Sequence, residues 1–236
     1  GATAGTQTHA VVFGGNTTAA GPPNGVVTTA TNEWDGSTFS ITSNMATARQ
    51  SYAGAGTATA AIGFAGDKNP GSSNETEEYT SALTQVGAGV WATGGALSTA
   101  RGGLSTTYGT QSASLMTGGE RTPGGTQETA VESYNGSSWT SGGALPTATS
   151  TQGGGGPQTA AIMMGGNTPG DNRVKTNYDY DGSSWTANPN MPQDSGATRG
   201  FGTQTAAICI GGMNNPGNTW HKKTMEFNGS SWSDGG

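Results

Sequence analysis

The chain has 236 residues, of which only 10% are charged, and a net charge of −6. Nothing concentrates Lys and Arg as a phosphate-gripping surface requires, so nucleic acid is excluded as a partner. The single cysteine excludes an intramolecular disulfide, and no apolar stretch approaches the ~18 residues of a membrane span. No charged segment followed by an apolar one opens the sequence, so no signal peptide is expected. Gly and Pro are abundant, at 43 and 10 residues, but the glycines recur periodically, which indicates turns and crowded strands rather than disorder.

In chain order, one phrase occurs five times: GTQTHAVVFGG from Gly5, GTATAAIGFAG from Gly56, GTQSASLMTGG from Gly109, GPQTAAIMMGG from Gly156 and GTQTAAICIGG from Gly202. The phrases end at Gly15, Gly66, Gly119, Gly166 and Gly212, at intervals of 51, 53, 47 and 46 residues. A fixed period of this size marks a repeat architecture.

Each repeat predicts four short strands. In the third, the innermost strand lies within 101–109 and a buried strand runs from Ala113 to Thr117, stopped by Gly118-Gly119. A third strand over 128–134 leads into Asn135-Gly136, read as the two central residues of a type I′ hairpin turn. Trp139 lies on the fourth strand, and Ala144 to Ala148 crosses to the next unit. Asp35-Gly36, Asp181-Gly182 and Asn228-Gly229 repeat the hairpin signal. Helical periodicity is absent. Four strands repeated five times with short connections predict an all-β fold, a five-bladed β-propeller of four-stranded antiparallel blades. It forms one domain over 1–236, with blades at about 1–48, 49–100, 101–148, 149–195 and 196–236.

The Gly doublet after an apolar strand, the Glu132-Ser133-Tyr134 phrase and the following Trp139 resemble the kelch repeat. Tyr180 with Trp185 and Phe227 with Trp232 match its aromatic pair; the first repeat carries Trp34 and Phe39. The second repeat departs from it, with Ala65-Gly66 in place of the doublet and a long hairpin. The GTQTAA…GG…NGSSW wording is similar to kelch-type repeats of marine phage virion and tail-fibre proteins, a resemblance that implies a virion or extracellular location.

Both chain ends fall at the junction of the first and fifth blades, where closure is expected to rest on blade-to-blade packing. Trp91, Trp139, Trp185, Trp232 and Phe39 are expected between blades, because aromatics bury large areas; the alternative is a stacking platform for sugars. The Gly153–Gly156 run fits a narrow centre. Gln7, Gln111, Gln158 and Gln204 recur at one position, with Ala58 the exception, either as a polar ring or as caps on backbone groups. Cys209, within an apolar run, reads as a small buried hydrophobe.

Loops joining second and third strands are expected to share a face with the crossovers and to hold the basic residues. These loops, at 16–30, 67–77, 120–127, 167–175 and 213–223, differ between repeats while the hairpins are nearly identical. Variable loops on a regular scaffold are where binding resides. The ligand-binding candidates are Trp220 and His221, in the most unusual loop, and Arg49, Arg101 and Arg199, at or just after crossovers. Trp220 offers a stacking surface and the guanidinium forks suit carboxylates; the arginines alternatively bond to backbone carbonyls of neighbouring blades.

Two histidines and one cysteine do not make a zinc or copper site. No carboxylate has an evident acid/base partner, and copper-radical chemistry of the kelch-bearing oxidases lacks its ligands here. The chain is therefore expected to be no enzyme and to need no cofactor or metal. It reads as a glycan- or protein-binding module of a phage-like particle, with a purely structural spacer as the alternative. Oligomeric state is not fixed by these features.

Overall fold

The computed structural model describes residues 1–17, 26–68, 70–81, 89–104, 108–121, 125–216 and 219–235. Parts of the inner strand expected over 101–109 and of four of the variable loops lie outside them.

Five four-stranded antiparallel sheets form a five-bladed β-propeller. The blades comprise Ala2–Gly5, Ala10–Phe13, Thr31–Trp34 and Phe39–Ile41; Ala53–Gly56, Ala60–Phe64, Thr76–Thr80 and Val90–Thr93; Tyr108–Thr110, Ala113–Thr117, Val131–Tyr134 and Trp139–Ser141; Gly153–Gly155, Ile162–Met164, Asn177–Tyr180 and Trp185–Asn188; and Arg199–Thr203, Ala206–Asn214, Thr219–Phe227 and Trp232–Asp234. Within each blade the strands pair in sequence order.

Side chains alternate between the two faces of a strand, and this sorts each blade into a face toward the preceding blade and one toward the next. Val11 and Phe13 of the first blade pack with Tyr52, Ala61 and Tyr79 of the second. Ile62 and Phe64 meet Met116 and Tyr134 of the third, Leu115 meets Met163 and Tyr180 of the fourth, and Ile162 and Met164 meet Cys209 and Phe227 of the fifth. Trp91, Trp139, Trp185 and Trp232 are half-buried against these four cores, as expected of interblade aromatics. The Gly run has a steric cause: a Cβ on Gly154 would lie 2.6 Å from the Tyr108 hydroxyl, and one on Gly155 would lie 2.7 Å from the Gly202 nitrogen.

The hairpins differ from the expected turn. Only the glycine has positive φ, for example +91° at Gly136, and Asn135 does not. The backbone N–H of Asn135 donates to the Ser138 carbonyl at 3.2 Å, so Gly136-Ser137 is the central pair, the Gly-first pattern of a II′ turn. Asn135 is instead the acceptor that fixes it: its Oδ1 takes the N–H groups of Ser137 at 3.0 Å and Ser138 at 2.9 Å. Asp35, Asp181 and Asn228 do the same, and the donors hold the Asp35 and Asp181 carboxyls well below the usual range.

The junction of the first and fifth blades also departs from expectation. Each of the four apolar cores joins consecutive blades, and among the described residues none joins the fifth to the first. Phe39, expected between blades, is 61% exposed because no blade covers that face.

Candidate functional site

The crossovers and the second-to-third-strand loops do share a face. Bridges tie Gln50 to Asp67, Gly102 to Glu120, Ser150 to Asn167 and Gly196 to Met213, each joining a crossover to the loop of the blade it enters. Most basic residues near this face are already neutralised. Lys68 pairs with Glu75, Arg121 with Glu128, Arg173 with Asp171 and Lys223 with Asp234.

Arg49 and Arg101 lie in the interior, each fully buried, and neither offers its guanidinium to solvent. Arg49 is paired with Glu77 and donates to the carbonyls of Ala65 and Glu75; Arg101 is paired with Glu132 and donates to those of Gly118 and Ala130. The acid of each pair also accepts from the preceding crossover, from Ala46 N–H at 2.5 Å and Ser98 N–H at 2.9 Å. These arginines therefore lock crossovers into blades. Burial pushes the Arg101 guanidinium below its ordinary range, and Glu132 opposes that shift. Their signal is readable only across repeats: where Arg gives way to Thr149 and Ser195, the acid gives way to Tyr178 and Met225.

Arg199 sits four positions later in its repeat, in the place of Ala53, and is different. It lines an axial cavity of about 880 Å³ together with Thr3, Gln50, Tyr52 and Phe201. Its Nη1 donates to the Thr198 carbonyl at 3.1 Å, and no carboxylate pairs with it among the described residues. Partial burial lowers its pKa, which raises the value of an anionic partner in that cavity.

Trp220 and His221 lie on a hairpin that extends beyond the blade body, with strands of nine residues where other blades have three to five. Trp220 is 71% exposed. His221 turns the other way: its Nε2 is 3.1 Å from Ser195 Oγ, whose proton goes to the Gly211 carbonyl at 2.7 Å. That geometry places the imidazole proton on Nε2 and commits the serine hydroxyl to backbone. Nδ1 is buried with no partner among the described residues, and burial lowers the His221 pKa. The candidates thus separate into two interior ion pairs, one cavity arginine and one exposed indole beside an inward imidazole. Among the described residues, no three His, Cys, Asp or Glu side chains are grouped to hold a metal, and no helix is long and apolar enough to cross a membrane.

Neither a known protein family nor a curated protein sequence matches the chain. A solved structure of YjhT superposes with a TM-score of 0.75 at 11% identity, over 99% of this chain and 83% of YjhT. At that identity the likeness concerns the fold, and it leaves about a sixth of YjhT without a counterpart.

Proposed function

We propose that this propeller is a non-catalytic recognition module that binds an acidic glycan, or an acidic segment of a protein surface, at the mouth of its axial cavity. The observation that carries the reading is Arg199, a guanidinium with no carboxylate partner among the described residues, in a cavity large enough for a small ligand. Gln50 and Tyr52 line the same cavity. Trp220 offers a second, exposed contact. The kelch-like wording of the repeats supports placement on a phage-like virion or tail fibre. The spacer reading draws on a different observation: four other cations near this face are satisfied by the chain's own acids.

A glycan array followed by calorimetry tests this. Binding is expected for uronic- or sialic-acid-bearing glycans and is expected to fall at least tenfold in Arg199→Gln with an unchanged melting temperature. No hit at high protein density favours the spacer.

A further inference from the structure

Ile210 occupies the repeat position of Phe13, Phe64 and Met164, which are completely buried against the next blade, yet it is 43% exposed. Phe201, on the same face, is 59% exposed. Across the gap, Phe39 and Ile41 are the exposed apolar residues of the first blade. Four of the seven large exposed hydrophobics among the described residues thus lie on two faces that the repeat elsewhere covers with a blade, and contiguous exposure of this kind marks an interaction surface.

The polar groups on the fifth-blade face specify what fits there. At the first two junctions, a Thr-x-Glu phrase receives the next blade's aromatics. The Trp91 indole donates to Thr31 Oγ1 at 3.1 Å and the Tyr79 hydroxyl to Glu33. The Trp139 indole donates to Thr76 Oγ1 at 2.9 Å and the Tyr134 hydroxyl to Glu78 at 2.5 Å. The fifth blade repeats the phrase as Thr224-Met225-Glu226, and neither of its polar side chains makes a hydrogen bond within the described residues. The first blade is the wrong plug for this socket. It presents Trp34 where a Tyr hydroxyl is needed, with its indole already donating to the Gln7 carbonyl at 2.8 Å, and Phe39 where an indole N–H is needed. A second copy of the chain would offer the same mismatched pair.

We propose that the cleft between the fifth and first blades receives a further four-stranded blade of this repeat, whose Tyr and Trp fill the Thr224–Glu226 socket. Gln7, exposed on the opposite wall, then clamps that blade as Gln111, Gln158 and Gln204 clamp theirs. The unmatched sixth of YjhT has the size of one such blade. Arg199 pairs with Ile210 and so shares that face, and its counterpart Ala53 is buried in a closed interblade core, so the docked blade reshapes the Arg199 end of the axial cavity while the side lined by Ala55 stays as it is. The inference goes beyond the binding role of Arg199 and does not depend on it.

The test extends the full chain after Gly236 with a second copy of residues 97–148, which carries a Gln, a Tyr and a Trp at the required positions and spans the crossover distance of the other repeats. The extended protein is expected to melt in one transition above the parent, with amide exchange around Phe201 and Ile210 slowed at least ~10-fold. Glu226→Gln with Thr224→Val is expected to lower the melting temperature of the extended protein and not of the parent. A parallel version carries the copy before Gly1. If the added copy exchanges freely in both versions and the parent melting temperature is unchanged, the proposal is overturned. It is equally overturned if sedimentation shows the parent to be a dimer with Phe201 and Ile210 protected, because the occupant is then a second copy. Loss of glycan binding in Arg199→Gln bears on neither outcome.

Discussion

Gln111 Nε2 donates to the Tyr79 carbonyl oxygen at 2.8 Å, across the junction of the second and third blades. The same amide reaches the Ala61 carbonyl at 3.2 Å. Gln158 holds the carbonyls of Ser114 and Tyr134, and Gln204 those of Ala161 and Tyr180, in the same way. The recurring glutamine is therefore an interblade staple. Gln158→Ala leaves two carbonyls short of a donor and is expected to cost about 1–3 kcal/mol. Gln7→Ala, with no staple to lose, is expected within about 0.5 kcal/mol of the parent. Chemical denaturation of the two variants compares them directly; equal losses contradict the staple.

Arg101→Thr alone strands the buried Glu132 carboxylate and is expected to cost about 3–5 kcal/mol. Adding Glu132→Tyr reproduces the Thr149/Tyr178 combination that the chain already uses one junction later. The double variant is expected to recover most of the loss. A double-mutant cycle by denaturant melting measures the coupling, and additive losses reject the pairing as the organising contact.

Trp139 and Trp220 separate packing from presentation. Trp139 packs edge-on against Phe64 at 4.8 Å and tilted against Tyr134 at 4.9 Å, measured between ring centroids, and its indole is bonded. Trp139→Ala is expected to cost about 3 kcal/mol. Trp220→Ala is expected to change stability by less than about 0.5 kcal/mol and to weaken binding of any ligand that stacks on it. A large fall in melting temperature for Trp220→Ala, with binding retained, would make it a core residue.

His221 gives the fold a measurable response to mild acid. Burial lowers its folded pKa below the ordinary 6.5, so the unfolded chain binds this proton more readily than the folded one. Its contribution is complete above pH 6.5 and is lost as pH falls from there through the lowered folded value. Melting temperatures of the parent and His221→Gln from pH 7.5 to 5 are expected to differ in slope, with the variant flatter. Parallel slopes contradict the assignment.

The repeat count, the Ala113–Thr117 strand and the interblade place of four tryptophans are legible because each depends on residues adjacent in sequence. An apolar run between a turn and a Gly doublet specifies a buried strand by itself. The arginine roles were not legible from position alone, since Arg49 is defined by Glu77 on the third strand that follows it. The turn type was misread because Asn135 can serve as a turn residue or as its side-chain acceptor, and the neighbouring serines decide for the second. The uncovered face of the fifth blade was equally hidden: Ile210 has the sequence surroundings of a core residue, and only its missing neighbour distinguishes it.

The three glutamine staples grip main-chain carbonyls, which every residue supplies whatever its side chain. A blade copied by gene duplication would thus find its neighbour's attachment points already present, with no matching substitution required. Copy number in such a ring is free to change by single recombination events, and selection is left to adjust only the aromatic and apolar fillings afterwards.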